Sequence, residues 1–256
     1  MSAPKVSAPT LARVFWRGLF LQAAWNRRGM QNLGFAYAIE PALRALYSEP
    51  ARRREALERH LQFFNCHPYM AAAILGGAIH HEERVAAGLA PSDAPVRYKS
   101  TLQGPLAALG DGFFWTALRP FCGALGAVGA LLVGVPGVVA ALVLYNAVHL
   151  ALRARLFRLG YRGGDAVVAA IARLGLPLVA DRLRAAGVAL CGVAAAIVVL
   201  RSGGAAGAAA GIVAALAAAA GYAALARGAR LLPTAYVAAL AGIGAAAAVG
   251  HFHWSS

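Results

Sequence analysis

Five polar side chains keep company that hydrated surface residues seldom keep. Gln31 and Asn32 lie in WNRRGMQNLGFAY (25–37), Asn65 and His67 in LQFFNCHPYM (61–70), and Asp111, a lone carboxylate, in GPLAALGDGFFWTALRP (104–120). Set among aromatics, glycines and prolines, these amides, imidazole and carboxylate suit a lined cavity. There they would exchange hydrogen bonds with a bound molecule while aromatic faces cover its apolar side. Each residue also has a plainer use. Asp111 can cap a helix starting at Gly112, Asn65 and His67 can close a turn before Pro68, and Gln31 and Asn32 can knit two helices together. Asn146, in an apolar run beside Tyr145 and His149, suits a helix-to-helix hydrogen bond better than a ligand contact.

Covalent and metal chemistry have less support. Nucleophilic catalysis needs a nucleophile beside a base or an orienting partner, and no such set assembles in the sequence. His80, His81, Glu82 and Glu83 do not form HExxH, and neighbouring side chains on a helix diverge, so no metal site is expected. Gly123, Gly126 and Gly129 lie in an apolar helical run with no strand before them, which excludes a nucleotide-binding loop. Cys66, Cys122 and Cys191 are far apart, odd in number and without CxxC spacing, which predicts free thiols. No cofactor is expected.

Helices must position these residues, because no sustained period-two alternation marks a strand. Helical spacing is predicted over 11–24, where Val14, Phe15, Leu19 and Phe20 form an apolar surface and Arg13 and Arg17 reach headgroups. It is predicted again over 51–65, ended by His67 and Pro68, with Glu55 placed i,i+4 before Arg59. A further helix is expected over 70–85, then a linker over 88–95.

The solvent for much of the chain is expected to be lipid. Hydrophobic residues make up 60% of the sequence, and the mean hydropathy is +0.62. Beyond Arg184 the only charged side chains are Arg201, Arg227 and Arg230. Because a charge at the centre of a membrane helix costs about 2.5–3.5 kcal/mol on insertion scales, such stretches predict spans over 185–200, 202–226 and 231–250. Gly203, Gly207 and Gly211 could form a packing stripe there. The run 120–152 is free of charge, but Arg119 precedes it and seven arginines lie between Arg153 and Arg184. Both of its ends therefore read as cytoplasmic by the positive-inside rule. It is too short for two full spans of about 20 residues, and Gly134, Pro136 and Gly137 stand at its middle, so a broken or re-entrant hairpin is expected. The later spans then run out, in and out, with HFHWSS outside. The net charge of +14 marks the cytoplasmic face in this reading, with no nucleic acid as partner. No secretory signal is visible, and the N-terminus is expected to stay in the cytoplasm.

The resulting fold class is all-α: a polytopic integral membrane protein with N-terminal amphipathic or interfacial helices, the hairpin, and about three C-terminal spans. Four regions are expected: a motif-bearing helical region (1–119), the hairpin (120–152), a basic cytoplasmic loop (153–184) and Ala/Gly-rich membrane helices (185–256).

The three motifs, continued by LYNAVHLALRARLFRLGYRGG (144–164), resemble the IID subunit of the mannose-type sugar phosphotransferase system at the expected order and spacing. After Gly164 the chain departs from the family, in which a longer polar segment usually precedes the last membrane helices. The resemblance implies a multi-pass protein of the bacterial inner membrane that joins a IIC subunit in a hetero-oligomer. The complex would carry a hexose to the cytoplasmic IIB component, with phosphohistidines on IIA and IIB and on none of this chain's seven histidines. Asp111, Asn65, His67, Gln31 and Asn32 become candidates for sugar contact. The shortened region after Gly164 keeps open a scaffold or regulatory subunit that has lost transport. A basic peripheral protein binding nucleic acid or anionic lipid is the remote alternative, and salt or carbonate extraction would reveal it.

Overall fold

The computed structural model describes residues 5–201 and 211–212. Among them there is no strand, only isolated bridges joining Asn26 to Met30 and Met30 to Phe64. The expected spans 202–226 and 231–250, the Gly203/Gly207 stripe, Arg227, Arg230 and HFHWSS lie outside the described residues.

Helix α1 (Ala8–Arg17) runs into a 3-10 turn (Gly18–Phe20), followed by α2 (Asn32–Leu46), α3 (Pro50–His60), α4 (Ala71–Ala86) and α5 (Ala94–Gly110). The chain then continues without interruption through a π-helical segment (Asp111–Leu118) into α6 (Arg119–Val133). After one residue comes α7 (Val135–Gly163), then a 3-10 turn (Gly164–Ala166), α8 (Val167–Ala172) and α9 (Leu176–Arg201). The helix expected over 51–65 ends five residues early, at His60. Residues 61–70 are instead an irregular segment drawn onto 26–32 by Phe64 and Gln31 backbone bonds. The basic stretch 153–184, expected as a loop, is mostly helical. Arg153 explains part of the difference: it is buried, and its guanidinium donates to the Gly18 carbonyl.

The chain divides into two compact units. The first comprises residues up to Gly123 together with Ala140–Gly187. Its centre is α4, whose small residues Ala71–Ala73 and Ala78, with Ile74 and Ile79, are buried. This surface packs most extensively against α5, and Phe35, Ile39, Leu43, Phe64, Met70 and Phe114 complete the core. Fully burying such side chains contributes about 1.5–3 kcal/mol each. Pro41 lies inside α2 and cannot donate to the Tyr37 carbonyl. Arg17 Nη1 donates to that oxygen instead at 3.2 Å and pairs with Glu40 at 3.0 Å, so Arg17 braces α1 on α2 and is not free to reach headgroups.

The described part of the second unit is 124–139, 188–201 and 211–212. Its first segment is the tip of a helical hairpin. The chain reverses at Gly134, whose φ of +72° falls in the left-handed region that suits glycine, and Gly129 and Gly137 touch backbone to backbone across the turn. The break falls where Gly134, Pro136 and Gly137 predict it.

Among the described residues two helices are long and apolar enough to cross a membrane, Ala94–Val133 and Val135–Ala172. In the second, only 6% of the most apolar stretch is buried. Val135, Leu142 and Val143 are more than half exposed.

Candidate functional site

The segment after α3 is held in place by side chains that replace missing secondary structure. Gln31 is buried, and its amide works as a strand neighbour would: Nε2 donates to the Cys66 carbonyl at 2.8 Å and the Cys66 N–H donates to Oε1 at 3.0 Å. Asn32 Nδ2 donates to the Leu61 carbonyl at 2.6 Å, and its Oδ1 accepts from Asn26 Nδ2 at 3.0 Å. Met30, at φ +57°, turns the chain between them. Gln31 thus spends its hydrogen bonds on backbone, and Asn32 divides its own between backbone and the Asn26 side chain. They fix the loop that carries Asn65 and His67.

His67 is buried and lies at the centre of a ring cluster. It stacks on Phe114 with centroids 4.9 Å apart and meets Trp115 at 4.9 Å and Tyr69 at 5.1 Å. The Tyr69 N–H donates to His67 Nδ1 at 3.2 Å, which places the proton of the neutral ring on Nε2. That Nε2 is buried without a partner, an unmet donor of the kind that calls for an explanation. Burial, reinforced by the Arg153 charge, lowers the His67 pKa to about 4, so the ring is neutral at pH 7.

Across the cluster, α7 presents Tyr145, His149 and Arg153, spaced four apart on one face. Tyr145 and Tyr69 share a hydroxyl hydrogen bond at 3.2 Å, His149 stacks on Tyr69 at 4.4 Å, and Arg153 lies over the Tyr69 ring at 5.9 Å. Arg153 is the member that reading by motif missed. Its i,i+4,i+8 register with Tyr145 and His149 was the available signal.

Asp111 does not cap a helix. The helix passes straight through it, and the carboxylate is exposed at the start of the π segment. Its neighbour Gly110 packs against the His67 side chain. Burial pushes the Cys66 thiol up to about 12, opposed by a backbone hydrogen bond, and the nearby Asp111 charge adds to the rise. Asn65 is exposed, and its N–H donates to Gln103 Oε1 at 3.0 Å. The structure therefore sets His67 against Trp115 and packs Gly110, the neighbour of Asp111, on the His67 side chain, ties Asn65 to Gln103, and leaves Gln31 and Asn32 as supports of the loop. Asn146 Nδ2 donates at 2.8 Å to Leu142 of its own helix, not to a neighbouring one.

In the quartet 80–83, His80, Glu82 and Glu83 form a second polar centre, and it is structural. Glu82 is fully buried and accepts from Arg59 Nε at 2.8 Å, Arg59 Nη2 at 2.7 Å, Tyr47 Oη at 2.7 Å and His60 Nε2 at 2.8 Å. Glu83 accepts from the Val6 N–H and Tyr161 Oη, while His80 Nδ1 meets the Tyr161 carbonyl. Among the described residues no three His, Cys, Asp or Glu side chains converge on a common metal position. The described cysteines are free, with Cys66 and Cys122 buried and Cys191 exposed.

Residues 5–203 match the family described as the PTS system mannose/fructose/sorbose family IID component. The mannose-specific EIID component of Escherichia coli (strain K12) is 39% identical over 166 residues, covering 64% of this chain and 59% of that protein. The fructose permease IID component of Bacillus subtilis (strain 168) is 36% identical over 152 residues, 59% of this chain and 55% of that one. The sorbose-specific EIID component of Klebsiella pneumoniae is 36% identical over 169 residues, 66% and 62% of the two chains. The chain spans about three fifths of the length of the curated relatives it matches. Among solved structures, a chain of the cryoEM structure of mannose transporter ManYZ with microcin E492 superposes with a TM-score of 0.61 at 35% identity, covering 75% of this chain and 70% of that one. A chain described as a membrane protein reaches 0.67, also at 35% identity, with 75% and 71% coverage. With a family match across most of its length and the same fold in a solved transporter, this chain belongs to the IID components of the mannose/fructose/sorbose family of PTS systems.

Proposed function

We propose that the chain is the IID membrane subunit of a mannose-type phosphotransferase permease, which forms with a IIC partner the path carrying a hexose to IIB for phosphorylation. The observation that carries this reading is the family match over residues 5–203, joined to the fold shared with a chain of the ManYZ transporter. The exposed apolar hairpin suits lipid or a membrane partner, and exposed Trp16, Phe20 and Trp25 suit an interfacial position for the N-terminal helices. In the reading we adopt, 120–152 is a re-entrant hairpin, its basic flanks face the cytoplasm of a bacterium, and 185–256 supplies about three further spans.

Within that path we assign sugar contact to Asp111, His67 and Asn65. The neutral imidazole offers an unmet N–H, the carboxylate accepts, and Trp115 supplies a ring face. Gln31 and Asn32 act by holding the loop. The chain itself performs no phosphoryl transfer and needs no cofactor.

Sugar uptake restored in a strain lacking the chromosomal subunit, only when a IIC partner is co-expressed, is the test. A chain that co-purifies with IIC and restores no uptake is instead a scaffold or regulatory subunit. What motivates that second reading is that the match covers only 59% of the mannose-specific relative.

A further inference from the structure

Away from the ring cluster, a cleft of about 370 Å³ opens between α4, α5 and the turn leading into α8. This is the low end of the usual range for small-molecule sites, about 300–1,000 Å³. Its polar lining is His81 from α4, Arg97 and Thr101 from α5 and Asp165 from the turn, with Leu102 and Val168 as apolar walls.

Three features separate it from an accidental gap between helices. His81 is 7% exposed, and its Nε2 is buried with no hydrogen-bond partner. Asp165 Oδ1 is 3.3 Å from that nitrogen without the alignment of a hydrogen bond. In addition, Thr101 lines the cleft, and no hydrogen bond among the described residues engages its hydroxyl. The cleft therefore holds a buried group and a wall residue with hydrogen-bonding capacity to spare.

Charge selects the ligand class. Arg97 is already paired with Asp93 at 3.1 Å, so an anion entering the cleft meets Asp165 and Asp93. A cation meets Arg97 and also Arg84, whose charge reaches His81. Burial lowers the His81 pKa, and the Arg84 and His80 charges act in the same direction, against Asp165. A neutral molecule with several hydroxyls meets no such opposition, and hydroxyls both donate and accept, as this lining requires.

We propose that this cleft is a second small-molecule site that takes a neutral polyhydroxylated ligand, with His81 Nε2 and the Thr101 hydroxyl reading its hydroxyl groups. It shares no residue with the sugar path proposed above. Its existence therefore does not depend on transport.

Calorimetry on the full-length chain in detergent tests the site, with Asp111→Asn as background so that the path contributes least. The probes are mannitol, glucose, glucose 6-phosphate and inorganic phosphate. Saturable binding of a neutral probe is expected, weakened about tenfold by Thr101→Val and by His81→Leu, as loss of one hydrogen bond implies. Thr101 is exposed, so Thr101→Val keeps the fold and serves if His81→Leu does not. The proposal is overturned if no neutral probe saturates, if Thr101→Val binds as the background does, or if glucose 6-phosphate or phosphate binds more tightly than the neutral probes. Failure of the sugar path would appear separately, as unchanged uptake in Asp111→Asn with the cleft still binding.

Discussion

Replacing Glu82 by Gln removes a buried charge while nearly conserving volume, and two independent routes give the size of the loss. Glu82 is fully buried and the side chain of its partner Arg59 is only 11% exposed; removing one member of such a pair costs about 3–5 kcal/mol, because the other charge is left without compensation. Linkage gives a similar figure. Burial alone would raise the Glu82 pKa, but hydrogen bonds from Arg59 and His60 outweigh it and lower the pKa from 4.5 to about 2, worth about 3 kcal/mol. At about 2–4 °C per kcal/mol for a domain of this size, the melting temperature should fall on the order of 10 °C. The assay is thermal unfolding of the detergent-solubilised full-length chain followed by tryptophan fluorescence, with Asp93→Asn as control. The side chains of Arg97 and Asp93 are both more than half exposed, so that pair contributes at most about 1 kcal/mol. If Glu82→Gln melts within a degree or two of the Asp93→Asn control, the carboxylate is not the clamp described and the reasoning fails.

Further outcomes rest on the same structure. His60 is buried, which lowers its pKa from 6.5 to about 4 despite the Glu82 hydrogen bond; neutral His60 therefore favours the fold above pH 6.5. That contribution is lost as the pH falls toward 4, and the Glu82 contribution is lost from about 4.5 toward 2. The melting temperature should decline steadily on acidification, and a flat profile between pH 6.5 and 4 would contradict the assignment. Gln31→Leu leaves the Cys66 N–H and carbonyl unpaired and should destabilise by about 2–6 kcal/mol, at about 1–3 kcal/mol per orphaned buried group, as measured by chemical denaturation. A methyl group at Gly76 would collide with the backbone of Phe157, whereas Gly104 has nothing near it; Gly76→Ala should abolish a stable fold, and Gly104→Ala should raise stability by up to about 1 kcal/mol. Asp111→Asn should reduce hexose uptake at least about tenfold, and radiolabelled phosphotransfer should place no label on this chain.

The parts of the fold that local chemistry dictates were legible in the sequence. The helix break at Gly134 could be placed because Gly-Val-Pro-Gly has few other conformations, and the all-helical character because no strand periodicity competes with it. Contacts distant in sequence were not legible. Nothing near Gln31 announces that its amide will imitate a strand for Cys66, 35 residues on. His80 to Glu83 read as unremarkable because helical divergence excludes a shared ligand, yet that same divergence sends Glu82 to Arg59 while His80 and Glu83 both reach Tyr161. Arg153 was counted with its basic neighbours, since its burial depends on Gly18, 135 residues earlier. At the candidate site, the aromatic setting pointed to His67 and Asp111, but only the tertiary structure separates them from the amides that support their loop.

The wide-coiled stretch from Asp111 to Leu118 also bears on how the family can vary. Such a stretch absorbs a surplus residue relative to ordinary helical winding, so deleting one amino acid there would relax it to ordinary winding and leave α5 and α6 in their present register. The same deletion in an ordinary turn of α6 would swivel everything beyond it by about 100°. A scan of one-residue deletions should therefore spare uptake more often within 111–118 than within α6.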